Sequence, residues 1–222
     1  FWFVIQAEDI GDRGGEHDGG TDPEDGQPYA TPVIYNATFI GSGVNASNPD
    51  NPEALKLRDN WGGSYYNSIF TEYVGAGVDI EDLASGEDSR ARLDEGTLTL
   101  ANNLWWGFGA GNDITGVADC SGDCDDDTWV QEHLGANSNV IADPLLRGIS
   151  RIANNGLDPR PLLNSPALSG ARTPDDAFFT PTNYVGAFGP SDADLWIADW
   201  TFIYDAGIVV QGDFATVVAE ES

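Results

Sequence analysis

Three short runs in this 222-residue chain share one plan. Residues 33–40 read VIYNATFI, 65–73 read YYNSIFTEY and 98–106 read LTLANNLWW. Each is rich in β-branched and aromatic residues, and each carries an Asn near its middle: Asn36, Asn67 and Asn103. Each soon meets glycine, as GSG at 41–43, GAG at 75–77 and GFGAG at 107–111. A second set of runs interleaves with the first: FWFVIQ at 1–6, ALKLRD at 54–59 and GVDIED at 77–82. Asn is disfavoured inside strands, so its recurrence there asks for a structural reason.

Self-similarity every 20–50 residues signals stacked architectures, in which equivalent residues lie one above another. A stacked Asn can hydrogen-bond to the turns on either side of it. That would satisfy an amide whose burial otherwise costs about 1–3 kcal/mol. The reading is therefore an all-β solenoid with an Asn ladder at Asn36, Asn67 and Asn103. Coils with long acidic loops are expected over 1–171, and a β-rich capping or assembly segment over 172–222. In ALKLRD, Leu55 and Leu57 face one way and Lys56 and Arg58 the other. Residues 11–28, rich in Gly, Asp and Pro, read as an acidic loop, as does 83–96. Residues 129–134 read as a helical turn, 183–188 as a strand and 195–202 as a short helix or strand.

The charge balance, 37 Asp and Glu against 9 Lys and Arg, leaves a formal charge of −28. That excludes a phosphate-backbone binder and argues against docking on anionic membranes. No apolar run is long enough to span a membrane. Self-repulsion of this size points to bound cations or a high-salt medium, or else to a solvated acidic surface that only maintains solubility. With 41% hydrophobic residues the chain has enough apolar material for a folded core. It contains no Met and opens on FWFVIQ, which reads as the inside of a strand. The expectation is a processed product, or a fragment of a longer secreted polypeptide.

IADPLL at 141–146 followed by LLNSPALSGA at 162–171, after Asn-centred coils, resembles the end of right-handed parallel β-helix proteins of the pectate-lyase-like superfamily. RGGEHDG at 13–19, VIYNATFIGSG at 33–43, and NYVGAFGP with LWIADWTF over 183–202 resemble a group of large secreted bacterial surface proteins. The resemblance implies a right-handed parallel β-helix and an extracellular or cell-surface location. The lyases of that superfamily use a Lys or Arg base and often carboxylate-bound calcium. Here that implies Lys56, Arg58 and Asp59, residues an ordinary exposed strand would also show. No catalytic motif of the family is matched, and no GxSxG, phosphate-loop or dinucleotide fingerprint is present.

The strongest chemical pattern is DCSGDCDDD at 119–127. Asp119, Ser121, Asp123, Asp125 and Asp127 place oxygens at every second residue of a glycine-containing loop, as calcium requires. The pattern is not an EF-hand. Cys120 and Cys124 can close the same loop as a disulfide outside the cell. Two readings stand: a calcium site, or a disulfide-closed acidic loop without an ion. Zinc is unsupported, because two Cys and two distant His lack the spacing. Trp61, Trp105, Trp106, Trp196 and Trp200 are candidates for sugar-stacking platforms or contact surfaces.

A stacked fold has two ends, and each exposes unpaired strand edges. Phe1, Trp2, Phe3, Val4 and Ile5 are the expected assembly edge, and GIVVQGDFATVVAE at 207–220 is a complementary one. The functional expectation is a non-catalytic extracellular structural protein, a calcium-braced subunit of a stacked or filamentous assembly. Its partner would be a second copy or the upstream part of a longer chain. The alternatives are a carbohydrate-active or glycan-binding protein contacting a surface glycan, and the folding cap of a larger adhesin.

Overall fold

The computed structural model describes residues 1–47 and 52–211. Successive strands fall into tiers. The first holds β1 (Trp2–Ile5), β2 (Gly15–Asp18) and β3 (Val33–Tyr35). The second holds β4 (Ala37–Ile40), β5 (Leu55–Arg58) and β6 (Ser64–Tyr66). Then come β7 (Ile69–Tyr73), β8 (Val78–Asp82), α1 (Ser89–Asp94) and β9 (Thr99–Ala101). They are followed by β10 (Leu104–Phe108), α2 (Ile114–Val117), β11 (Ala118–Gly122), α3 (Thr128–Ala136) and β12 (Val140–Ile141). Last are β13 (Leu146–Gly148), β14 (Asp158–Pro161) and α4 (Phe202–Asp205).

The strands form a five-stranded sheet, β1-β4-β7-β10-β12, a four-stranded sheet, β11-β8-β5-β2, and a three-stranded sheet, β3-β6-β9. Every pairing in these three is parallel. β13 and β14 form a separate antiparallel pair. The alternation in LKLR fixes the inner face of β5, with Leu55 and Leu57 buried and Lys56 and Arg58 half-buried. Leu55 lies beside Val78 and Leu57 beside Ile80. Phe39, Phe70 and Trp105 share one column, with ring centroids 5.5 and 4.4 Å apart. Each fully buried side chain of this kind contributes roughly 1.5–3 kcal/mol.

The recurring glycines have a steric cause. A Cβ on Gly41 would lie 2.4 Å from the Glu72 carbonyl oxygen, and one on Gly109 would lie 1.8 Å from that of Val74. Backbone of one tier rests directly on the next at these corners, and no side chain fits between.

The expected all-β, right-handed parallel β-helix is corrected by these elements. Among the described residues the chain is mixed: four short α-helices accompany strands of two to five residues, the sheets are separate, and none closes on itself. Unequal loops, three of them carrying helices, break the regular coil that the repeat suggested. α1 occupies part of the stretch read as a loop. Its start is set by Asp88, whose side chain accepts the Ala91 N–H. β2 lies in the other expected loop, and residues 183–188 are not a strand.

Residues beyond β13 return along the outside of the five-stranded sheet. Leu157, Ala187, Phe188, Leu195, Ile197 and Val209 form a second buried cluster with Ile40, and Phe3 and Ile5 pack against it. Both faces of β1 are thereby used, since Val4 packs on the first core cluster. Val209 bridges Leu157, while 212–220 of the expected complementary edge, and the end of the 172–222 segment, lie outside the described residues.

Candidate interaction surface

The first strand of each sheet lies at that sheet's edge: β1, β2 and β3 are all terminal in their strand orders. The Trp2 and Gln6 N–H groups bond to Asn36 and Ile40 on the β4 side. Parallel strands alternate direction residue by residue, so the backbone groups of Phe3 and Ile5 face the outer edge. Trp2 meets Phe39 edge-on at 4.8 Å and Tyr65 at 6.4 Å. The β1 and β3 edges flank a cleft of about 370 Å³ lined by Phe1, Trp2, Val33, Tyr35, Phe178 and Phe179. Phe1, Val33 and Phe178 are exposed by 63, 48 and 85%, an apolar face on a chain of net charge −28. Of the expected assembly edge, Phe1 and Trp2 are exposed, whereas Phe3, Val4 and Ile5 are half-buried.

The exposed acids of β2 are ion-paired. Arg58 reaches Glu16 at 3.1 Å and Asp18 at 2.8 Å, and Arg13 reaches Glu16 at 3.6 Å. Beneath the rim, His17 stacks on Trp61 at 5.0 Å, and its Nε2 lies 2.7 Å from the Tyr65 hydroxyl. Burial pushes the His17 pKa down to about 4 and pushes the Tyr65 hydroxyl up.

The opposite end is covered. α3 packs against β9 and β11, with Val130 and Leu134 buried. On β9, at its sheet edge, the Leu100 N–H is accepted by His133 Nε2 at 3.1 Å. The Leu100 carbonyl accepts from Asn139 Nδ2 at 2.8 Å. Side chains thus complete a strand edge that has no further strand. Burial lowers the His133 pKa, which keeps the ring neutral and able to accept.

The Asn residues divide into two columns. Tyr35, Tyr66 and Ala101 are register partners, so the corner residues that follow are Asn36, Asn67 and Asn102, all at positive φ (57, 52 and 57°). Their amides reach outward to the returning segment. Asn36 Nδ2 donates to the Thr182 hydroxyl and to the Tyr184 and Gly186 carbonyls, each at 3.0 Å. Asn67 Nδ2 donates to the Arg172 carbonyl at 2.8 Å, and Asn102 Nδ2 to that of Gly170 at 3.1 Å. Asn103 sits one position on, in an inner ladder. Ser68 Oγ accepts from Ala37 N–H, Asn103 Oδ1 from Ser68 N–H, and Asn139 Oδ1 from Asn103 N–H.

The expected calcium residues are dispersed. Asp119 Oδ1 accepts its neighbour Cys120 N–H, Asp123 Oδ2 the Ala84 N–H, and Asp127 Oδ1 the Gln131 side chain. Ser121 Oγ meets Lys56 Nζ, and Asp125 is exposed. Among the described residues, no three or more His, Cys, Asp or Glu side chains are grouped to hold a metal ion. Cys120 and Cys124 are joined as a disulfide, their Cα atoms 6.2 Å apart. Asp126 instead starts the following turn. Its carboxylate binds the Thr128 hydroxyl and N–H, and these bonds lower its pKa.

The implied lyase residues are also engaged. Lys56 Nζ lies 2.6 Å from Asp79 Oδ2, and its side chain is 12% exposed. Arg58 is held by the rim acids, and Asp59 is buried at φ 52°. Of the aromatic candidates, Trp61 and Trp105 are core residues, while Trp106 and Trp196 are half-buried and Trp200 is exposed. No helix among the described residues is long and apolar enough to cross a membrane.

β2 and the edge-sealing pair His133–Asn139 escaped the sequence reading. GEHD has poor strand propensity, and its only cue was the alternation of Gly15 and His17 with acids. No family profile, curated protein or solved structure matches the chain, so neither the pectate-lyase-like superfamily nor the surface-protein group is identified by comparison.

Proposed function

We propose that this chain is a non-catalytic interaction module of an extracellular structural assembly, which docks through its uncovered end on a further tier of strands. The observation that carries the reading is an apolar cleft between the β1 and β3 edges, with β2 also terminal in its sheet, while α3 and the His133–Asn139 pair cover β9 at the opposite end. Unpaired strand edges are templates for strand addition, and an apolar patch rimmed by polar groups marks a contact surface. Because three edges open together, the partner must continue all three sheets, which a single extended peptide cannot do. At the far end α3 covers β9 and β11. Head-to-tail growth of identical copies would require α3 to move aside. The Cys120–Cys124 disulfide fits an oxidising, extracellular setting. Calcium bracing at Asp119–Asp127 has no converged side chains behind it and forms no part of the proposal.

Hydrogen exchange on native material and on the isolated chain tests the reading. Backbone amides of β1, β2 and β3 should be protected in the native assembly and exchange faster in the isolated chain. Equal exchange in both, with a chain that stays monomeric in its native setting, would sink it.

A further inference from the structure

A second surface, independent of the uncovered end, is a cavity beyond the ends of β1 and β4. It encloses about 800 Å³ and is lined by the segments that follow β1 and β4, by Glu72 of β7, and by Arg151. Ligands of parallel sheets commonly sit beyond the carboxyl ends of the strands. We propose that this cavity binds an uncharged polyhydroxylated ligand, a neutral saccharide.

The lining sets that chemistry. Arg151 is held deep in the wall, its side chain 11% exposed. Its Nε donates to the Gln6 and Gly41 carbonyls at 3.1 and 3.0 Å, its Nη2 binds the Gly41 carbonyl, and Glu72 lies 3.5 Å away. Those bonds leave the Nη1 donors with no partner among the described residues. Glu8, Asp9 and Glu72 bring carboxylate acceptors, and Asn45 brings an amide. Val44 and Ile152 supply apolar wall.

A hydroxyl both donates and accepts, so a sugar can use the carboxylates and the guanidinium at once. An anion would meet three carboxylates for one guanidinium, on a chain of net charge −28. A bare cation would be drawn to the carboxylates but would offer the guanidinium no acceptor, whereas each sugar hydroxyl can serve both.

Glu72 carries the sharpest test. It stands at φ +69°, where the residue opposite it on β10 is Gly107 at φ +76°. Only glycine takes that conformation without strain. A side chain at this corner is therefore a cost to folding, and it places a carboxylate in the cavity.

Calorimetric titration of the whole chain with glucose, galactose, mannose, N-acetylglucosamine and their short neutral oligosaccharides should find saturable binding to at least one. Glucuronate should bind more weakly. Glu72→Gly should keep or raise the melting temperature while weakening binding by about tenfold or more, and Asn45→Ala should weaken it without unfolding the chain. The proposal is overturned if no neutral sugar of this panel binds, if glucuronate binds more tightly, or if both variants bind like the parent chain.

Discussion

The two ends of the strand tiers differ in how their last backbone groups are satisfied. At the β9 end, Leu100 has both its N–H and its carbonyl taken by side chains, His133 and Asn139, and α3 lies over them. At the β1 end, three edges adjoin exposed Phe1, Trp2 and Val33. An unpaired backbone group can be satisfied by water at an exposed edge, but not beneath a helix. One end is therefore finished by its own chain, and the other keeps its edges available to another.

The largest expected effect tests the covered end. Leu134→Ala removes a side chain that is 1% exposed, and should cost about 2–5 kcal/mol in urea unfolding. A cost within about 0.5 kcal/mol, the range of ordinary surface changes, would show that α3 is not a structural cover.

Each end holds one of the two histidines, and both are kept neutral by burial. The unfolded His17 titrates near 6.5 and the folded one near 4, so the unfolded state binds more protons between those values. Stability supplied by neutral His17 is thus present above pH 6.5 and lost as pH falls toward 4. The loss should reach about 3 kcal/mol for His17, with His133 adding in the same direction. Urea midpoints measured from pH 7 down to 4 should fall, and His17→Gln should flatten part of that slope. An unchanged slope would remove the open-end histidine from the account.

Between the ends, Asn67→Ala tests the corner column that ties the tiers to the returning segment. It forfeits the Arg172 bonds and forces Ala to φ 52°, a combined cost of about 2–3 kcal/mol. Asn67→Gly relieves the backbone part and should cost about 1 kcal/mol less. Equal losses would mean that the positive φ contributes nothing.

The smallest effect on folding belongs to the open end. Val33→Lys should change stability by less than about 0.5 kcal/mol, since Val33 is 48% exposed. It should nevertheless weaken incorporation into native assemblies, read by sedimentation. Incorporation at the parent level would separate this face from assembly.

Several of these features were legible in the sequence. The alternation around Leu55 and Leu57 matches the buried face of β5. The glycines after each Asn-centred run mark places where backbone rests on backbone. Asn36 and Asn67 stand at equivalent corners, but the doublet Asn102–Asn103 was assigned one residue late. In a strand, one residue exchanges the inner for the outer face. Asn102 therefore reaches outward with Asn36 and Asn67, while Asn103 belongs to the inner ladder. The acids of 119–127 looked like calcium ligands because their spacing alternates. Local backbone N–H groups and the Gln131 side chain engage Asp119, Asp123 and Asp127 instead.

By itself the sequence determined the tier: short β-rich runs, their inner faces, the corner glycines and the two cysteines four residues apart. These follow from local sterics and from side-chain alternation, which act within a few residues. Only the tertiary structure decided which end is sealed, what the corner amides bind, and that the sheets remain separate. Those outcomes rest on partners far apart in the chain. Asn36 meets Thr182 across 146 residues and Asn67 meets Arg172 across 105, separations over which no periodicity in the sequence carries information.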